Sequence, residues 1–212
     1  MDQFDEDDRS ITAQVMRSLS REILAGELKP GEALRQDAVA ARFRTSHVPV
    51  REAFRRLEAR GLLVSEPRKG VRVTPLTRSG VIEVTKMRAA LEPLALRLAA
   101  PNLSDADLAE ARKLAHTKSS DIVRLEAANR AFHMILYAPS GYSRLLATIA
   151  DLHEISARYL LAAWQQLGWE ARSAKEHEDM LDALESGKAA SAAKILKKHI
   201  EDAGHAVAMT IA

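Results

Sequence analysis

The sequence predicts a mainly α-helical protein in two parts: a small unit of three helices closed by a β-hairpin, then a larger all-helical bundle of about six helices. Three observations carry this reading. Aromatic residues make up only 4% of the 212 positions although 47% are hydrophobic, and the abundant Ala, Leu, Arg and Glu lose little side-chain freedom in helices. Apolar residues recur at steps of three and four through most of the chain. The interruptions fall at Gly and Pro, which punctuate helices for steric reasons.

Composition also narrows the function classes. The absence of cysteine excludes disulfides, thiolate metal sites and cysteine nucleophiles, and suits a cytoplasmic protein. No apolar run approaches the ~20 residues that span a bilayer, and Met1 to Arg9 carries acids where a signal peptide carries basic and then apolar residues. No membrane partner is expected. The formal net charge of +2 hides a local excess: Arg35 to Pro75 holds ten Lys or Arg against four Asp or Glu, whereas Leu76 to Ala212 holds seventeen of each.

Residues 1–9 read as a flexible acidic tail. Ser10 then caps a helix whose inward face is Ile11, Val15, Leu19 and Ile23 and which stops at Gly26. A turn at Lys29-Pro30-Gly31 leads to a short helix from Gln36 to Phe43. A third helix runs from about Ser46 to Arg60, with Ser46 as its cap and Pro49 tolerated in the first turn. Leu62 to Ser65 and Val71 to Thr74 flank Pro67-Arg68-Lys69-Gly70 as a hairpin with a basic tip. Three helices and a hairpin make a winged helix-turn-helix, placed at residues 10–75. The remainder, 76–212, divides into helices over Thr77 to Ala100, Ser104 to Thr117, Asp121 to Ala138, Tyr142 to Trp164, Ala171 to Ser186 and Lys188 to Met209.

On the third helix Val50, Phe54 and Leu57 share one stripe, while Arg51 and Arg55 lie on a neighbouring face. A helix with such a face, preceded by a tight turn, fits the major groove of duplex DNA, where Arg donates two hydrogen bonds to guanine. Arg68 and Lys69 at the hairpin tip are placed to meet phosphates or the minor groove, with Gly70 giving the turn its freedom, and Arg35 is a phosphate-contact candidate.

In the second part, Asn129 and His133 lie one turn apart on one helix, and His177 and His199 sit on two later helices that can converge on the same interior. Three histidines and an amide oxygen suit a divalent metal such as zinc or nickel. Spacing alone also allows ordinary hydrogen-bonded histidines. His153, Tyr159 and Trp164 are alternatives for pocket lining or core packing, and His116 and His205 read as surface residues.

The first part resembles the GntR family of bacterial transcription factors. The resemblance rests on Ile23 to Leu34, Val39-Ala40-Ala41-Arg42-Phe43, Thr45 to Glu58 and Pro67-Arg68-Lys69-Gly70-Val71. It implies operator contacts from Arg35, Ser46, His47, Val48, Arg51 and the wing near Lys69 and Gly70, with one departure: His47 stands where the family usually has Arg. The second part resembles the FCD effector domain of the FadR-like branch, through Arg88-Ala89-Ala90-Leu91-Glu92, Asn129-Arg130-Ala131-Phe132-His133, Glu176-His177 and Lys198-His199. Its helix count resembles the shorter VanR-type subgroup. That resemblance implies a metal at Asn129, His133, His177 and His199, although metal-binding members commonly have Asp at the place of Asn129. It further implies a small organic acid as effector, with Arg88 as its contact and Arg158 as a second candidate. The expected protein is a homodimeric regulator, a repressor in most such cases, on a pseudo-palindromic operator. The rival expectation is an enzyme using the three histidines for a catalytic metal.

Overall fold

The computed structural model describes residues 10–66, 70–167 and 170–211, with side chains except those at 164–171. The chain divides into two compact units, Met1–Leu76 and Thr77–Ala212. The acidic tail expected over 1–9 and the basic wing tip, including Arg68 and Lys69, lie outside the described residues.

In the first unit α1 spans Ile11–Leu24, capped by Ser10, whose hydroxyl accepts from the Ala13 N–H at 3.1 Å. Val15, Leu19 and Ile23 are buried along its inward face. The short β1, Ala33–Leu34, precedes α2, Gln36–Arg42, and α3, His47–Ala59. Between α2 and α3 the chain reverses at Arg44, whose φ of 49° is left-handed. Thr45 N–H closes the turn onto the Ala40 carbonyl at 3.0 Å. Ser46 occupies the N-cap position of α3, but its side chain makes no capping hydrogen bond. Pro49 falls in the first turn of α3, where its missing N–H is no loss.

The hairpin consists of β2, Leu63–Glu66, and β3, Gly70–Val73, antiparallel with Leu63 opposite Val73 and Glu66 opposite Gly70. The two residues of β1 add a third strand on the far side of β3, giving the order β1-β3-β2. Leu19, Val39, Val50, Phe54, Leu57, Leu62, Leu63 and Val73 form the core under this small sheet.

The helices are also tied by charge. Glu22 on α1 is buried and its carboxylate accepts from both terminal nitrogens of Arg42 on α2, at 2.7 and 2.5 Å, and from Ser18 Oγ at 2.7 Å.

The second unit holds six α-helices among its described residues: α4, Arg78–Ala99; α5, Asp105–Ala115; α6, Ile122–Tyr137; α7, Ser143–Leu167; α8, Glu170–Glu185; and α9, Ala189–Thr210. Thr77 caps α4, a reciprocal Ser104–Asp107 capping box starts α5, and Asp121 caps α6. Short 3₁₀ turns at Ala100–Asn102 and Ala138–Ser140 absorb Pro101 and Pro139. Phe132, Leu136, Tyr137, Ile149, Met180, Leu181 and Leu196 fill the core. No helix among the described residues is long and apolar enough to cross a membrane.

Helices α4 and α9 approach so closely at Gly204 that an added Cβ would stand 2.1 to 2.7 Å from the side chain of Thr85. Only a residue without a side chain fits there, because packed helices offer few soft neighbours.

Two stability predictions follow from these contacts. The Arg42 hydrogen bonds hold the Glu22 carboxyl below its usual 4.5 against the opposing effect of burial. Its contribution is therefore present at neutral pH and is lost as pH falls through the lowered folded value. Glu22→Gln should cost about 1–2 kcal/mol in urea unfolding at neutral pH, the value for hydrogen bonds to charged groups reduced because Arg42 is half exposed. The parent should lose more stability on acidification than this variant does. Gly204→Ala should lose about 1–3 kcal/mol through overpacking against Thr85, read as a lowered urea midpoint.

Candidate functional site

The sequence places polar and apolar residues on α3 so that Val50, Ala53, Phe54 and Leu57 are buried while Ser46 before it and His47, Val48, Arg51 and Arg55 on it are exposed. Val48 is 63% exposed, and folding offers no reason for an apolar side chain there. Arg35, at the N-cap of α2, and Arg44, in the turn, are exposed as well. Among the described residues the side chains of Arg35, Arg44, Arg51 and Arg55 make no ion pair, in contrast to Arg56, whose Nε lies 3.1 Å from Glu52. Unpaired cations gathered around a helix start form an anion-seeking face. His47 keeps a weaker tie, its Nδ1 lying 3.5 Å from Asp37 on α2. Gly70, exposed with φ of 79°, opens β3.

In the second unit His133 on α6, His177 on α8 and His199 on α9 are buried, and their ligand atoms all lie within 4.8 Å of one another. The ring centroids are 4.9 to 5.4 Å apart. Neighbouring groups set the tautomers. Tyr137 O–H donates to Glu92 Oε2 at 2.8 Å, so its oxygen receives a proton from His133 Nδ1, 3.2 Å away. His133 Nε2 is thereby left with a lone pair, and it is buried with no partner, as is Nε2 of His177. His199 Nδ1–H donates to Glu176 Oε2 at 2.7 Å, which frees the other nitrogen of that ring.

The electrostatics agree. Burial, aided by the proximity of His177, pushes His133 well below its usual 6.5, and burial together with His199 does the same for His177. Both are neutral at physiological pH. The hydrogen bond from His199 takes Glu176 down to about 2. Three clustered imidazoles, two with orphaned buried nitrogens and two with one ring nitrogen fixed by a hydrogen-bond partner, have the chemistry of a divalent metal's donor set. The residues fit such a group.

A cavity of about 430 Å³ adjoins this cluster, lined among others by His177, His199, Asn129, Arg88, Glu126 and Tyr159. Asn129 therefore reaches the same space as the histidines. Arg88 is held in place by Glu92 on its own helix, at 2.6 Å, and by Ser156 Oγ on α7, at 2.8 Å.

Arg158 stands apart from this lining. It is buried, but it is not among the residues lining the cavity. Ser156, Tyr159 and Leu160 form the α7 part of the lining, and residue 158 points about 150° from their mean direction at 100° per residue. Tyr159 lines the cavity, whereas His153 lies behind it with Nε2 3.3 Å from buried Glu92. The Trp164 side chain lies outside the described ones.

Sequence reasoning assigned nothing to four residues that matter here. Glu92, Tyr137 and Glu176 orient the arginine and the histidines, and Glu126 brings a second charge to the cavity. Glu126 was findable, since it precedes His133 by two turns on one face. His116, expected at the surface, is exposed but also lines the cavity, with Nε2 2.8 Å from Glu178.

Comparison with known proteins matches this architecture. Residues 11–73 match the bacterial regulatory proteins of the gntR family, and residues 83–202 match the FCD domain. Over 206 residues, 90% of this chain and 86% of the relative, the sequence is 31% identical to a probable D-xylose utilization operon transcriptional repressor from Paenarthrobacter nicotinovorans. The solved structure of Escherichia coli McbR/YncC superposes with a TM-score of 0.74 at 26% identity, covering 91% of this chain and 94% of that one. A GntR-family regulator from Pseudomonas syringae pv. tomato str. DC3000 gives a TM-score of 0.59 at 31% identity, covering 94% and 85%. These domains and relatives are those of transcriptional regulators, which removes the metal-enzyme alternative. The chain belongs to the GntR family, in the FadR-like branch that carries an FCD domain, and is a DNA-binding transcriptional regulator rather than an enzyme.

Proposed function

We propose that this regulator is a ligand-released repressor that binds a pseudo-palindromic operator as a homodimer and senses a small carboxylate inside the helical unit. The observation that carries the sensing part is the shared cavity, where Arg88, Asn129, His177 and His199 line one space. The named repressor activity of the Paenarthrobacter relative supports the sign of control.

On the DNA side, Arg51 and Arg55 read base edges in the major groove and Val48 meets a thymine methyl group. Arg35, Ser46, His47 and the wing residues Arg68, Lys69 and Gly70 meet the backbone. The missing capping bond leaves the Ser46 hydroxyl available for a phosphate. His47 gives a shorter contact than arginine would, steadied by Asp37. Residues 10–75 form the DNA-binding domain and 76–212 the sensing and dimerisation domain.

On the effector side, His133, His177 and His199 hold a divalent metal, zinc or nickel, with Asn129 as the fourth protein ligand. Such an ion, when bound, supplies Lewis-acid positions that accept a carboxylate oxygen. Arg88 attracts the carboxylate from the cavity wall, and Glu92 and Ser156 keep its guanidinium oriented. Arg158 has no part in this. Effector and operator binding are coupled by about 1–3 kcal/mol, the usual range between distinct sites.

For the operator reading, Arg51→Ala should weaken binding to a fragment selected from a random DNA pool about 5- to 150-fold, the equivalent of losing one bidentate base contact. Fluorescence anisotropy across salt concentrations measures this, and an unchanged far-UV circular dichroism spectrum shows that the fold persists. Equal affinity in parent and variant would remove Arg51 from the interface. For the metal, protein purified without chelator or affinity tag should carry close to one equivalent by elemental analysis. His133→Ala should lose most of it, and a metal-free parent would overturn this part alone.

A further inference from the structure

One charge in the cavity is not used by carboxylate recognition. Glu126 lies on α6 three residues before Asn129 and seven before His133, so all three share a helix face, and both Glu126 and Asn129 line the cavity. The Glu126 carboxylate is half-buried and makes no hydrogen bond or ion pair among the described residues. The cations near it are engaged elsewhere. Arg130, one turn on, has its guanidinium 3.9 Å from Glu154 on α7, and Arg88 donates to Glu92 and Ser156. Burial raises the Glu126 carboxyl above its usual 4.5, with Arg130 and Arg88 only partly opposing. A desolvated anion without a partner is a cost to the fold, and such groups in clefts mark functional positions.

We propose that the effector carries a protonated amine as well as its carboxylate, and that Glu126 holds the amine while the carboxylate lies toward Arg88 and the histidine cluster. This rests on the carboxylate reading above and specifies its ligand. Seven residues of helix separate Glu126 from His133 by roughly 10.5 Å along the axis. With the carboxylate at the histidine cluster, the ammonium group lies along a stem of several carbons. Val84, Leu125 and Leu160 give that stem an apolar wall. A hydroxyl in place of the amine offers a hydrogen bond but leaves the Glu126 charge uncompensated when water is excluded.

The test titrates the full chain, as purified, with ε-aminocaproate, caproate and ε-hydroxycaproate by isothermal calorimetry at neutral pH. The amino acid should bind at least tenfold more tightly than either analogue, the scale of a charge-assisted hydrogen bond. Glu126→Gln should abolish that preference, and Glu126→Asp should retain part of it. Without ligand, Glu126→Gln should melt no lower than the parent, because it removes an uncompensated charge. Equal binding of caproate and ε-aminocaproate to the parent, or a preference that survives in Glu126→Gln, overturns the amine assignment and leaves the carboxylate reading standing. Failure of all three compounds to bind the parent at millimolar concentration overturns both.

Discussion

Glu92 is the group on which the interior of the helical unit depends. Its side chain has no exposed surface, and an ionised carboxylate in that position is tolerable only with close partners. Burial alone would raise its carboxyl, but Arg88, His153 and His133 hold it well below the usual range. The ion pair with Arg88 fixes that guanidinium against the cavity wall. The hydrogen bond from Tyr137 fixes the hydroxyl proton, which makes the Tyr137 oxygen an acceptor for His133 Nδ1–H. One buried charge on α4 thus fixes both the orientation of Arg88 and the nitrogen of His133 that keeps its lone pair. If either partner were removed, the loss would spread to both, because the remaining charge would have to move toward water.

The two units treat charge in opposite ways. In the helical unit buried Glu92 is paired with Arg88 and half-buried Glu176 accepts from His199 and Arg172, while Glu126 stands apart from these pairs. In the winged unit the structural pair Glu22–Arg42 ties α1 to α2, while Arg35, Arg44, Arg51 and Arg55 stay unpaired at the surface among the described residues. A face of uncompensated cations is cheap in water and becomes valuable only against a polyanion. The same helix-turn-helix packing that buries Val50, Phe54 and Leu57 turns Arg51 and Arg55 outward, so the core and the cationic face occupy opposite sides of α3.

Most of this fold was legible from periodicity. The six helices of the second unit start and end within a few residues of the positions read from Ser104, Asp121, Pro101, Pro139 and Gly187, since caps and breakers act through local backbone chemistry. The β1 strand was not legible: two residues cannot show an alternating pattern, and pairing with β3 is a tertiary event. The placing of Arg158 outside the cavity lining was not legible, because its helical phase relative to the cavity depends on which face of α7 turns inward. The convergence of His133, His177 and His199 was anticipated from the family resemblance and not from spacing, because three helices can bring their faces together in many ways. Glu92, Tyr137 and Glu176 act through partners distant in sequence, and no single-chain pattern reveals such pairs.

Asn129 changes the electrostatics of the site in a definite direction. Three neutral imidazoles and a neutral amide remove none of a bound divalent cation's charge, whereas an aspartate in that place would cancel one unit. A divalent cation bound there would be held less strongly than beside an aspartate, and an anion approaching it would be attracted more strongly. The carboxylates that remain stand one step behind: Glu176 accepts from His199 directly, and Glu92 acts on His133 through Tyr137. From there their hydrogen bonds orient the imidazole rings. Glu126, one turn from Asn129, adds to the lining of the same cavity a carboxylate without a hydrogen-bond or ion-pair partner among the described residues.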